Sequence, residues 1–114
     1  MKETETKSKI YIVVRTSFIA FHRWREAPPE FDYLRNWHRH NFYVEMKVEE
    51  SDNREIEFNA LKDELNEFLR GYENKYLDMS CEDIALELAK RFYPSRKKII
   101  SIFEDNENGV EIET

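Results

Sequence analysis

His22, His38 and His40 are the only histidines of a 114-residue chain, and the last two form an H-x-H pair inside a run with strand-like alternation. Side chains two apart on a strand project from the same face, so a neighbouring strand can bring His22 up beside the pair and converge three imidazoles. Three neutral imidazoles with a fourth position left to water or substrate form the donor set of a catalytic zinc ion, which activates bound water or polarises a substrate oxygen. An H-x-H on a strand also occurs as two surface or partner-bonded histidines, and spacing alone does not separate the two readings.

Two adjacent strands are needed to hold such a trio. Ile10, Ile12, Val14, Thr16, Phe18, Ala20 and His22 form one alternating set, which predicts a long strand from Lys9 to about Trp24 with His22 near its far end. The opposite set, Tyr11, Val13, Arg15, Ser17, Ile19 and Phe21, is also largely apolar, so that face is expected to pack too. Pro28-Pro29 within residues 25–35 lack ladder donors, which makes this stretch a loop or edge segment. From about Asn36 to Glu50 a second strand carries His38, His40, Phe42, Val44, Met46 and Val48 on one face, so the histidines lie on its apolar side.

Ser51-Asp52-Asn53 reads as a turn. After it, Phe58, Leu61, Leu65, Phe68, Leu69 and Tyr72 recur at three- and four-residue spacing and predict an amphipathic helix ending near Gly71. A second helix starts at Ser80, whose hydroxyl can cap the first amides with Asp83 three residues on. Its apolar stripe is Cys81, Ile84, Ala85, Leu88 and Phe92, on which Cys81 reads as a small core residue rather than a nucleophile. A strand from about Lys97 to Glu104, a turn at Asp105–Gly109 signalled by Asn108-Gly109, and a strand of Val110 to Glu113 complete the chain. The order β-β-α-α-β-β implies an α+β fold with an antiparallel four-stranded sheet and both helices on one face.

Composition narrows the function classes. The net charge is −6, which disfavours nucleic acid as a partner; the basic cluster Arg91, Arg96, Lys97 and Lys98 reads as a solvated helix end and strand start. Eight Phe, six Tyr and two Trp argue for a packed core. The apolar runs are too short for a membrane span or signal peptide, and a single cysteine fits a reducing cytoplasm. Residues 1–8 are polar and expected to be disordered, leaving 9–114 as one domain.

The segments FIAFH at 18–22, HRHNFYVEMKV at 38–48, EIEFNALKDEL at 55–65, MSCEDIALELA at 79–89 and SIFED at 101–105 carry a resemblance. Taken with the element order, they resemble the 6-pyruvoyl-tetrahydropterin synthase and 6-carboxy-tetrahydropterin synthase family, which are T-fold proteins. Its members carry F-x-A-x-H, H-G-H-x-Y/F, D-F-x-x-L-K, P-T-x-E-N and E-T in the same order. The resemblance implies that His22, His38 and His40 are zinc ligands. It also implies that Glu104 grips the amino and ring N–H groups of a pterin, an edge of two donors that one carboxylate accepts together. Ser80 and Glu82 stand for the Thr and Glu of the second helix entry, and Glu57-Phe58 for the Asp-Phe of the first. Family members form barrels with the pocket at a subunit boundary, so a homo-oligomer built on trimers, up to a hexamer, is implied.

Departures from the family pattern bear on chemistry. Where the enzymes place a cysteine base, four residues before the first histidine of the pair, this chain has Leu34; where a subgroup has glutamate, three before, it has Arg35. Neither accepts a proton at neutral pH. The family's Asp-His pair after the first helix falls in NKYLDMSCED, where Asp78 can survive from it but no histidine does. Arg39 replaces the glycine between the metal histidines. Two expectations stay open. One is a zinc-dependent lyase on a dihydroneopterin-triphosphate-like substrate, with Glu30, Asp32, Tyr33 or Asp78 as an unusual base. The other is a catalytically inactive T-fold that binds a pterin- or purine-like molecule or serves as a structural or regulatory oligomer.

Overall fold

The structure, a computed structural model, describes residues 8–114; the expected tail over 1–8 lies outside them except for Ser8, which is exposed. Strands β1 (Ile10–His22), β2 (His38–Glu50), β3 (Lys98–Glu104) and β4 (Asn108–Glu113) form one antiparallel sheet in sequential order. Helices α1 (Phe58–Leu69) and α2 (Cys81–Arg91) are inserted between β2 and β3. The α+β order expected from the sequence is therefore the order observed.

Alternation explains which sheet face is covered. Val14, Phe18 and Ala20 of β1, Phe42, Val44, Met46 and Val48 of β2, and Ile100 and Ile102 of β3 are buried against Leu61, Leu65 and Leu69 of α1 and Ile84, Ala85 and Leu88 of α2. Burying a Leu or Ile side chain contributes about 1.5–3 kcal/mol, so this single face supplies most of the driving force. Slipping the β1–β2 register by one residue would turn every one of these side chains to the wrong side. The same constraint fixes the sheet's polar end, because His22, His38, His40 and Glu104 continue the buried rows beyond Ala20, Phe42 and Ile102.

Several boundaries differ from the alternation, among them the start of β2 at His38 rather than Asn36 and of β4 at Asn108 rather than Val110. β1 stops at His22 because the Trp24 amide leaves the ladder and donates to Leu34 O at 2.7 Å. The Pro-rich connection, expected as a loop or edge segment, is wound: Pro29–Arg35 is a 3-10 segment with an irregular Phe31, and Arg35 Nε donates to Ala27 O at 2.8 Å. A proline at the first helical position gives up a donor that would be unpaired anyway, which makes this start inexpensive. α1 ends at Leu69, two residues short of Gly71.

The β3–β4 turn also falls earlier than the Asn-Gly signal. Asp105 and Asn106 take the left-handed conformation, with φ of 54° and 59°, and Glu107 N donates to Glu104 O at 2.9 Å. Asn and Asp tolerate that region, so this pair serves the tight turn. Gly109 is instead a strand residue, needed because a Cβ there would stand 2.0 Å from Ile102 O.

Candidate metal centre

Strand pairing brings the three histidines together. His22 is directly opposite His38 across the β1–β2 ladder, and His40 is opposite Ala20, one pleat further along the same face. Their ring centroids lie 4.6, 5.3 and 5.0 Å apart in the pairs 22–38, 22–40 and 38–40. One ligating nitrogen from each lies within 4.8 Å of the others. His22 is buried; His38 and His40 are partly so. Burial holds the His38 pKa below the ordinary value, which favours the neutral ring that a metal requires.

Each ring is also oriented by its other nitrogen. His22 Nδ1 lies 3.0 Å from Met79 O, His38 Nδ1 lies 2.9 Å from Asn36 O, and His40 Nδ1 lies 2.7 Å from Asp105 Oδ2. Carbonyl and carboxylate oxygens only accept, so all three Nδ1 atoms carry a proton and Nε2 is the nitrogen each ring offers to the cluster. This outer set of acceptors fixes the tautomer and raises ligand basicity in metal sites.

The loop positions behind these bonds have structural causes. After α1 the chain runs beside the end of β1, with Asn74 N to Ile19 O at 2.6 Å, Phe21 N to Lys75 O at 2.9 Å and Leu77 N to Phe21 O at 2.7 Å. That strap delivers Met79 O to His22. Asp105 reaches His40 because its left-handed turn aims the carboxylate back at β2, where Oδ1 also accepts from Asn41 N at 2.9 Å. The Asn41 amide, then His40, hold the Asp105 carboxyl below its usual range.

Glu104 closes the cluster from β3. Its Oε2 is 3.0 Å from His22 Nε2 and its Oε1 is 3.4 Å from His40 Nε2. The His22 contact, followed by the charge of His40, keeps its carboxyl below the usual range against burial. A carboxylate facing Nε2 atoms whose rings already carry a proton on Nδ1 needs positive charge between them, supplied either by a second proton or by a metal ion. The donor set fits a metal.

His22, His38 and Glu104 line an open cavity of about 830 Å³, within the range of small-molecule sites. Ser80, Glu82 and Asp78 line it, as do Arg23, Arg25 and Cys81. Ser80 spends its hydroxyl on Asp83 N at 3.0 Å, and the Asp83 carboxylate accepts from Ser80 N at 3.1 Å, so a complete capping box sets the start of α2. Asp78 is paired with Arg25 at 3.1 Å and Arg23 at 3.9 Å. Glu30, Asp32 and Tyr33, the other candidates for a base, are outside the cavity lining: Glu30 and Asp32 are exposed on the 3-10 segment and Tyr33 is 64 % exposed. Leu34 lines the cavity, and Arg39 is exposed on the other face of β2.

Besides the backbone acceptors of His22 and His38, sequence reading alone misses two side-chain contacts. Asp105 carries a signal, since it adjoins Glu104 in SIFED, but its bond to His40 depends on the turn. Cys81 is buried as its helix stripe implies, yet its Sγ is 3.7 Å from Glu104 Oε2, and burial followed by the Glu104 charge pushes its thiol up to about 12. It is a neutral donor to Glu104, not a thiolate.

Comparison with curated proteins finds no match. A protein-family model described as 6-pyruvoyl tetrahydropterin synthase matches residues 11–113, which takes in all of the sheet but Ile10, both helices and all four residues of the cluster. The four-stranded antiparallel sheet with two helices is the T-fold architecture of that family, and the chain belongs to the 6-pyruvoyl tetrahydropterin synthase family.

Proposed function

We propose that this protein holds a zinc ion on His22, His38 and His40 and binds a pterin- or purine-like ring through Glu104, without the proton-transfer groups of the family's enzymes. The observation that carries the metal reading is the set of three Nδ1 bonds to Met79 O, Asn36 O and Asp105 Oδ2, which makes Nε2 the ligating atom of every ring. A zinc ion held there supplies polarisation of a ligand oxygen or a lowered pKa for bound water. Glu104 suits a ring with adjacent N–H donors because it is ionised, half-buried and faces the cavity. Ser80 contributes its helix-capping role, and Glu82 lies at the cavity rim.

Leu34 in the lining favours binding over the family reaction. General acid–base steps contribute on the order of 10²–10⁴-fold each, and an apolar side chain supplies neither proton acceptance nor donation. A lyase reading retains one supporting observation, the presence of Asp78 in the same cavity. Zinc-loaded protein incubated with dihydroneopterin triphosphate across pH separates the two. No pterin product is expected; product formation that disappears in Asp78→Asn would establish the lyase instead.

The metal itself is tested by elemental analysis. Wild type is expected to purify with about one zinc per chain and His38→Ala with little, and equal metal in both would defeat the assignment. For the ring, calorimetry with a reduced pterin and with guanine should show binding to wild type and none to Glu104→Ala. Undiminished binding by the variant would remove Glu104 as the anchor. A cytoplasmic homo-oligomer built on trimers completes the proposal, since the cavity is open and two sheet edges are available to other copies.

A further inference from the structure

We propose that Glu104 is a fourth metal ligand while the cavity is empty, so that the metal site is closed until a ring in the cavity takes the carboxylate away. This rests on the three-histidine metal reading above and adds a coordination state to it. Two ligands each about 2.0–2.1 Å from a tetrahedral zinc ion stand about 3.3 Å from one another. Glu104 Oε2 lies 3.0 Å from His22 Nε2 and its Oε1 lies 3.4 Å from His40 Nε2, so each carboxylate oxygen stands at about the spacing of neighbouring ligand corners from one histidine.

Three further contacts keep the carboxylate there. Glu104 is the last residue of β3, opposite Phe42, and shares the sheet face of His38 and His40. The next residue, Asp105, is tied to His40 and to Asn41 N, which fixes the backbone just beyond Glu104. Cys81 Sγ, a neutral thiol, reaches Glu104 Oε2 at 3.7 Å from the start of α2.

The consequence is a competition within one side chain. Gripping two adjacent ring donors turns both carboxylate oxygens toward the ring edge, which competes with their facing the ion. Structural zinc sites are four-coordinate and closed, whereas catalytic ones keep a position open. Ring binding would then convert the first kind of site into the second.

Cobalt substitution reads the coordination state directly, with azide as the probe of an open position. The cobalt form of the wild type should keep its visible spectrum in excess azide. Glu104→Gln, which keeps the side-chain shape, should show an azide-dependent band and bind cobalt at least about tenfold more weakly by chelator competition. A wild-type spectrum that shifts with azide as readily as the variant's overturns the proposal while leaving the three-histidine site intact. If the variant does not fold, the wild-type azide result decides alone. A wild type that takes up neither cobalt nor zinc overturns both this proposal and the metal reading.

Discussion

Asp105 makes one carboxylate serve two neighbours, bonding His40 Nδ1 with one oxygen and the Asn41 amide with the other. Replacing it with asparagine preserves the turn preference and one acceptor but removes the charge behind His40. Asp105→Asn is therefore expected to weaken metal binding by about 10–100-fold with little change in thermal stability of the metal-free protein, measured by chelator competition and a melting curve. Unchanged affinity would show that His40 needs no charged partner. At this scale the sequence was legible where chemistry resides in side-chain identity. His22, His38, His40 and Glu104 are readable from alternation and motif. None of the three Nδ1 acceptors was: Met79 O and Asn36 O are backbone carbonyls, identical in every residue, whose direction only the loop paths decide, and Asp105 reaches His40 only through its turn.

Elements were legible in kind and less so at their ends. The period-2 and period-3.6 patterns located four strands and two helices, because burial of one face enforces them. The ends were set by groups that patterns do not weigh: Leu34 O drawing Trp24 out of β1, and the Asp105-Asn106 pair taking the turn ahead of Asn108-Gly109. One inter-element tie gives a pH prediction. Arg96, which precedes β3, grips Glu55, which precedes α1, through two nitrogens, and also donates to Glu49 O at 3.1 Å. The Arg96 contact, with the Ser51 amide, lowers the Glu55 pKa from 4.5 to about 2. A depressed carboxylate pKa contributes stability that is fully present above the unfolded value and is lost as pH falls through the folded one. Glu55→Gln should thus flatten the decline in urea midpoint between about pH 4.5 and 2. An acid limb identical to wild type would mean the pair carries none of it.

The molecule as a whole presents one covered and one open sheet face. Val13, Tyr43 and Ile10 are exposed, at 38 %, 37 % and 49 %, on or beside strands that other copies could cover. No helix among the described residues is long and apolar enough to cross a membrane. Light scattering at micromolar concentration is expected to give a multiple of the 13.9 kDa chain, and a mass of one chain would contradict assembly. Whole-molecule arrangement was the least legible scale, since association depends on surface side chains such as Arg15 and Glu45, which pair with each other within one chain and carry no pattern that names a neighbour.

The strap from Asn74 to Leu77 also rations the flank of β1. It occupies the outward amides and carbonyls around Ile19 and Phe21, while the stretch from Ile10 to Ser17 has no lateral partner among the described residues. A six-residue strand such as β4 of another copy would fit that free stretch and no further. Copies joined this way must dock offset toward the start of β1, like shingles, and the entrance above His22 would stay clear of the hydrogen-bonded seam.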